Sequence, residues 1–176
     1  METDACAAES GAPEGGPCGQ TRSAVAFLIP TFKTPYLTSD LLSTALSCGT
    51  FGKCAFVLLL QKDDPFLLTY RETVENLRAK GLNVGFIVFD GTPYAGMVNR
   101  IAPLVNADCV CVLDSRHLPA VKDNGDVGEA VAKFVAESAQ PMQAITFTEA
   151  GFFPVVTQKL IERLGYLFHP LAYGRL

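Results

Sequence analysis

Five short apolar runs in this chain each give way to ionisable residues. Lys33 follows the run that ends at Pro30 and Thr31, Asp63 and Asp64 follow Cys54 to Leu60, and Asp90 follows Val84 to Phe89. Asp114 and Arg116 follow Cys109 to Leu113, and Glu149 follows Ala144 to Phe147. Carboxylates alone would repel a phosphate. Mixed with Lys33 and Arg116, they suit an anionic ligand held partly by cations and partly by a metal ion, and nucleoside diphosphates are the natural candidates.

These residues meet only if the runs are strands with their carboxyl ends on one edge. The sequence supports that arrangement. Ala24 to Ile29 reads as a strand stopped by Pro30, after which Leu37, Leu41, Leu42, Ala45 and Leu46 recur at helical spacing as far as Gly49. A second strand over Cys54 to Leu60 leads into Asp64 and Pro65, an N-cap and first-turn pair for a helix closing near Gly81. Val84 to Phe89 gives a third strand, and a helix from Tyr94 to about Ala107 is expected to kink at Pro103. The fully apolar fourth strand, Cys109 to Leu113, suits a sheet covered on both faces. Val127, Ala130, Val131, Phe134 and Val135 mark another helix, Ala144 to Phe147 a fifth strand, and Val156, Leu160 and Leu164 a last helix.

Strand and helix alternate without a hairpin signal. The expected fold is therefore a three-layer α/β/α domain with a mainly parallel sheet and right-handed crossovers. Ligands of such sheets bind outside the carboxyl ends of the strands, which is where the ionisable residues collect. Solvated loops carry polar residues at either edge of a sheet. The opposite edge, entered through Gly52, Gly81 and Asn106, offers mostly glycines and helix ends.

Composition narrows the partners. A chain of 176 residues, 49% hydrophobic and 18% charged, has enough material for one buried core, and no apolar run approaches the roughly 20 residues of a membrane helix. A net charge of −4 with no Lys/Arg block argues against broad contact with nucleic acid or an anionic membrane. Residues 1–22, rich in Gly, Ala, Glu and Pro, are expected to be a disordered tail, with the domain spanning 23–176. They show no charged region followed by an apolar one, so a cytoplasmic protein with reduced cysteines is expected. Cys109 and Cys111 share one strand face and read as small buried hydrophobes, and no cysteine has metal-binding spacing.

The chain lacks GxGxxG after its first strand, a GxxxxGK[ST] loop and a GxSxG elbow, so dinucleotide, P-loop and hydrolase readings have no support. The segment Val25 to Phe32, VAFLIPTF, resembles the opening strand and Pro-Thr-aromatic turn of family 2 glycosyltransferases. Met97 to Pro119, MVNRIAPLVNADCVCVLDSRHLP, is similar to that family's second signature, an Asn-bearing helix and an apolar strand ending in Leu-Asp-x-Asp. The likeness runs from about Ala24 to Tyr166. It implies a GT-A fold and transfer of a sugar from a nucleotide-diphosphate donor to an acceptor hydroxyl.

By that resemblance Pro30, Thr31 and Phe32 line the base pocket, with Lys33 beside them. Asp63 or Asp64 meets the base or ribose, Asn99 lies near the nucleotide, and Asp114 is the first Asp of a Mn²⁺ or Mg²⁺ motif. Here that motif reads Asp114, Ser115, Arg116, so a permanent cation stands where the family has a second metal-binding carboxylate. An Arg at the leaving diphosphate would supply the stabilisation a metal ordinarily gives, making the transfer metal-independent. His117 beside Asp114 is a further metal donor by residue type, or a capping residue. The chain reaches Leu176 near where family members continue to the carboxylate that deprotonates the acceptor, which leaves Glu149 as the strand-end candidate for general base. An exposed apolar acceptor side would favour a homo-oligomer. The other function compatible with these residues is a catalytically silent nucleotide- or protein-binding module in which Asp114 and Arg116 form a structural ion pair. A sugar nucleotidyltransferase fits less well, because the turn Pro30, Thr31, Phe32, Lys33 has no glycine to admit a triphosphate.

Overall fold

The structure, a computed structural model, describes residues 22–115, 117–119, 125–137, 144–147 and 153–168. Its elements in chain order are β1 (Ser23–Pro30), α1 (Pro35–Cys48), β2 (Cys54–Gln61), α2 (Leu67–Ala79), β3 (Val84–Phe89) and α3 (Tyr94–Ile101). There follow β4 (Ala107–Val112), α4 (Val127–Glu137), β5 (Ala144–Phe147), β6 (Phe153–Thr157) and α5 (Gln158–Leu164). The expected tail lies outside the described residues except for Arg22, which pairs with Asp108 at 2.7 Å.

The strands form one sheet in the order β3-β2-β1-β4-β6-β5. The pairs β1 with β2, β1 with β4 and β2 with β3 are parallel, and Val25 stands between Cys54 and Cys109 in register. Alternate residues of the central strands feed two cores. Phe27, Phe56, Leu58, Cys109 and Cys111 pack with Leu42 of α1, Val74 of α2 and Val131 of α4. Leu28, Leu59 and Val110 pack on the opposite face with Met97 and Val98 of α3 and Ile161 of α5. A strand buried on both faces has to be apolar throughout, which explains the unbroken hydrophobic runs. Phe27 stacks on Phe56 at 5.3 Å and meets Phe51 edge-on at 6.0 Å, anchoring the start of the sheet.

The sheet is mainly parallel, as expected, with β6 antiparallel to both β4 and β5. Three local readings change. Phe153 to Thr157 is a strand, not the start of the last helix, which begins at Gln158. Pro154 lies beyond Val155, the last β6 residue facing β4, so its missing N–H costs that ladder nothing. α2 starts at Leu67, two residues after Pro65, because Asp64 caps a preceding turn by accepting from the Phe66 N–H at 2.9 Å. α3 ends at Ile101 without reaching a kink: Pro103 has no N–H to continue the ladder, and the Leu104 N–H closes a tighter turn onto the Ile101 carbonyl. No helix among the described residues is long and apolar enough to cross a membrane.

Candidate functional site

The carboxyl ends of β1, β2 and β3 converge on a cavity of about 320 Å³ lined by Phe32, Gln61, Asp63, Gly91, Thr92, Pro93 and Tyr94. β1 and β2 run side by side with Pro30 opposite Leu59, so the turns after them are neighbours. Two aromatic side chains, one carboxylate and a stretch of backbone around Gly91 thus share one recess. Such a set suits a flat heterocycle with polar edges.

The turn Thr31 to Thr34 is fixed from below. Thr31 is 2% exposed, and its hydroxyl lies 2.8 Å from that of Thr34, 3.0 Å from that of Thr38 and 3.2 Å from the Tyr70 hydroxyl. Tyr70, itself buried, accepts the Thr34 N–H at 2.8 Å. Lys33 has φ +57°, a left-handed backbone unusual for a residue with a Cβ, and its N–H donates to Asp64 Oδ2 at 2.7 Å. The Lys33 ammonium sits 4.8 Å from the centre of the Phe32 ring.

These contacts sort the residues expected at the site. Phe32 and Asp63 line the cavity, and the Lys33 ammonium lies over the Phe32 ring. Asp64 is 4% exposed and both its oxygens accept backbone N–H groups, so of the two neighbouring carboxylates Asp63 is the one presented to a ligand. The Thr31 hydroxyl faces inward to the buried cluster, and Pro30 closes β1. Asp90 meets Lys62 at 3.1 Å across the ends of β3 and β2. Asn99, expected near a nucleotide, instead spends its amide on the chain beyond α5: Oδ1 accepts from Leu167 N at 2.9 Å and Phe168 N at 2.8 Å, and Nδ2 donates to the Phe168 carbonyl at 2.8 Å.

Asp114 follows β4, and its carboxylate accepts the His117 N–H at 3.1 Å, with His117 Nδ1 at 3.1 Å from both oxygens. This tight turn supplies two metal-binding residue types. Among the described residues no three His, Cys, Asp or Glu side chains come together as candidate metal ligands. Arg116 and Glu149 lie outside the described residues. A second recess of about 250 Å³, lined by Leu37, Asp40, Leu41, Thr44, Ser115 and Leu118, opens between α1 and the turn after β4.

Three cavity residues were not among the expected site residues. Gln61 is the last residue of β2 and donates from Nε2 to the Thr92 carbonyl at 2.5 Å, tying the β2 end to the loop after β3. Tyr94 opens α3. Partial desolvation, with the charges of Tyr70 and Asp64 adding to it, raises its phenol above the ordinary value. Gly91 has φ +57°, and its place in Gly-Thr-Pro directly after a strand was the available sign of a shaped loop.

No protein-family model matches the chain, and no curated protein matches it. Solved structures do. A mannosyltransferase, PcManGT from Pyrobaculum calidifontis, in complex with GDP-Man and Mn²⁺, superposes with a TM-score of 0.61 at 14% identity, over 90% of this chain and 51% of that one. The fold is that of GT-A glycosyltransferases. A structure of S. aureus TarS, residues 1–349, matches with a TM-score of 0.58 at 14% identity, over 84% of this chain and 51% of that one. This GT-A-like chain spans about half the length of the solved structures it matches. At such identities the likeness establishes the fold, and the GT-A-like architecture puts the Phe32–Asp63–Tyr94 cavity at the carboxyl edge of its parallel strands.

Proposed function

We propose that this GT-A-like chain binds a nucleotide-diphospho-sugar through the cavity at the ends of β1, β2 and β3, and that it is a glycosyltransferase. The observation that carries the reading is the convergence of Phe32, Asp63 and Tyr94 on one recess at the strand edge. Phe32 and Tyr94 offer ring surface to a base, Asp63 offers an acceptor to base or ribose N–H and O–H groups, and Lys33 stands ready for a phosphate. The complex of the structurally similar PcManGT with GDP-Man and Mn²⁺ supports a nucleotide-sugar ligand for this architecture.

In the transfer, an acceptor hydroxyl attacks the anomeric carbon, the bond from that carbon to the diphosphate oxygen breaks, and the nucleoside diphosphate leaves with the bonding pair. The hydroxyl proton goes to a general base, for which Glu149 is proposed. Charge that develops on the leaving diphosphate is met by fixed cations, with Arg116 proposed in that role where the metal motif has lost its second carboxylate.

The test is thermal stabilisation by UDP, GDP, CDP and UDP-sugars, each in Mn²⁺ and in EDTA. Ligand at about 100 times its dissociation constant adds roughly 2.7 kcal/mol to the folded state. One nucleotide should stabilise the chain, the effect should persist in EDTA, and Asp63→Ala should abolish it. Absence of stabilisation by every nucleotide would overturn the reading in favour of a catalytically silent interaction module.

A further inference from the structure

Asp64 and Tyr70 are buried polar side chains beside the cavity, yet neither lines it. Asp64 is 4% exposed and Tyr70 1% exposed. Their polar atoms are directed at two consecutive backbone N–H groups of one turn: Asp64 Oδ2 receives Lys33 N–H at 2.7 Å, and the Tyr70 hydroxyl receives Thr34 N–H at 2.8 Å. Burying a carboxylate and a phenol is costly unless each is satisfied, and here the turn satisfies them.

What the two groups hold is a strained conformation. Lys33 is the one non-glycine residue with positive φ among the described residues, at +57°. A left-handed backbone is disfavoured for an L-residue with a Cβ and persists only where its surroundings enforce it. Asp64 enforces it from the β2–α2 connection and Tyr70 from within α2, while the Thr31 hydroxyl links Tyr70 to Thr34 and Thr38. The same turn carries Phe32 into the cavity. Neighbouring positions divide the work: Asp63 faces the cavity and Asp64 faces the backbone.

We propose that Asp64 and the Tyr70 hydroxyl are positioning groups that hold the Phe32–Lys33 turn in the shape that receives the nucleoside of a nucleotide, without touching the nucleotide themselves. The inference rests on the nucleotide reading of the cavity. A turn held in advance spares the ligand the cost of ordering it, so releasing the turn weakens binding although no ligand contact is removed.

The test compares the full chain with Tyr70→Phe, Asp64→Ala and Asp64→Asn, using UDP and GDP as probes in calorimetric titrations and following amide exchange without ligand. Tyr70→Phe keeps the buried ring and removes only the hydroxyl. Val74→Ala in α2, buried in the same core and without a polar group to bond the turn, serves as a control for general destabilisation. The expected result is a loss of about tenfold in affinity for the bound nucleotide in Tyr70→Phe and Asp64→Ala, in keeping with the cost of immobilising a loop on binding. Asp64→Asn, whose amide oxygen still accepts one N–H, should retain part of the affinity, and Val74→Ala all of it. Exchange of the Lys33 and Thr34 amides should accelerate in Tyr70→Phe and Asp64→Ala while the β1 amides stay protected. Undiminished affinity in Tyr70→Phe and Asp64→Ala, with the unaltered chain binding UDP or GDP, would overturn the positioning role alone. Failure of the unaltered chain to bind UDP, GDP or, titrated in the same way, CDP would overturn the cavity reading and the positioning role together.

Discussion

Substitution of Lys33 separates backbone strain from side-chain charge. Lys33→Ala and Lys33→Gly both delete the ammonium that rests 4.8 Å from the Phe32 ring, and both leave the N–H that donates to Asp64. They differ in the cost of φ +57°. A residue with a Cβ gives up roughly 1–2 kcal/mol in the left-handed region, whereas glycine gives up little there. Glycine loses about 0.4–1 kcal/mol of that advantage through the greater freedom of its unfolded chain. The balance is about 1 kcal/mol in favour of Lys33→Gly over Lys33→Ala, or roughly 2–4 °C in Tm for a chain of this size. Urea unfolding at neutral pH measures it as a difference in midpoint at equal slope. Any cation–π contribution is removed by both substitutions and cancels. If Lys33→Ala proves as stable as Lys33→Gly, the turn is not held in a left-handed conformation, and the reasoning that assigns Asp64 and Tyr70 to holding it fails as well. Loss of nucleotide affinity should be similar in the two variants, because both remove the charge.

Three further outcomes concern groups away from the cavity. Asn99→Ala removes the acceptor for the Leu167 and Phe168 amides and should cost on the order of 1–3 kcal/mol, with faster hydrogen exchange at those two amides and unchanged exchange in β1. Burial pushes the thiols of Cys54, Cys109 and Cys111 up to about 12 from an ordinary value of 9.0. At pH 8 iodoacetamide should therefore modify exposed Cys48 and spare these three in the folded chain. A raised folded pKa means that the unfolded chain loses these protons first. The stability they contribute is complete below about pH 9 and declines as the pH climbs toward 12, which urea midpoints across that range would reveal.

The sequence carried most of the architecture because the core is two-sided. Runs such as Cys54 to Leu60 had no polar residue to interrupt them, and strands with both faces covered leave that mark. The β5–β6 hairpin left a weaker mark. Val156 and Leu160 are four apart, and that spacing imitates a helix although the chain turns from strand to helix between them. At the site, residue type located the edge but could not assign the side chains. Asp63 and Asp64 are chemically identical neighbours, and only the position of the Lys33 N–H decides which is buried. Tyr70 sits with Val74 and Leu77 on the inward face of α2, where an aromatic residue reads as core. Its hydroxyl acquires a role through Thr34, which is distant in sequence. Asn99 was placed by its motif neighbours, whereas its partners at Leu167 and Phe168 are fixed by where the chain returns after α5.

The walls of the cavity all come from the ends of β1, β2 and β3, the part of the sheet whose pairing is wholly parallel and whose turns are tied together by Asp64, Tyr70 and Gln61. The residues proposed for the chemistry, Arg116 and Glu149, follow β4 and β5, where the sheet changes to antiparallel pairing. Recognition and turnover are thus assigned to different strands, and they should separate under mutation. Changes at Asp63, Asp64 or Tyr70 act on the free energy of the bound nucleotide, in the ground state as much as in the transition state, and so raise KM more than they lower kcat. A change at Glu149 acts where the proton moves only as the glycosidic bond breaks, and so lowers kcat with nucleotide affinity preserved, whereas a change at Arg116 lowers kcat more than it weakens binding of the diphosphate. A chain in which all of these substitutions weakened binding alike would have a single continuous site, and the division of labour between the two halves of the sheet would be wrong.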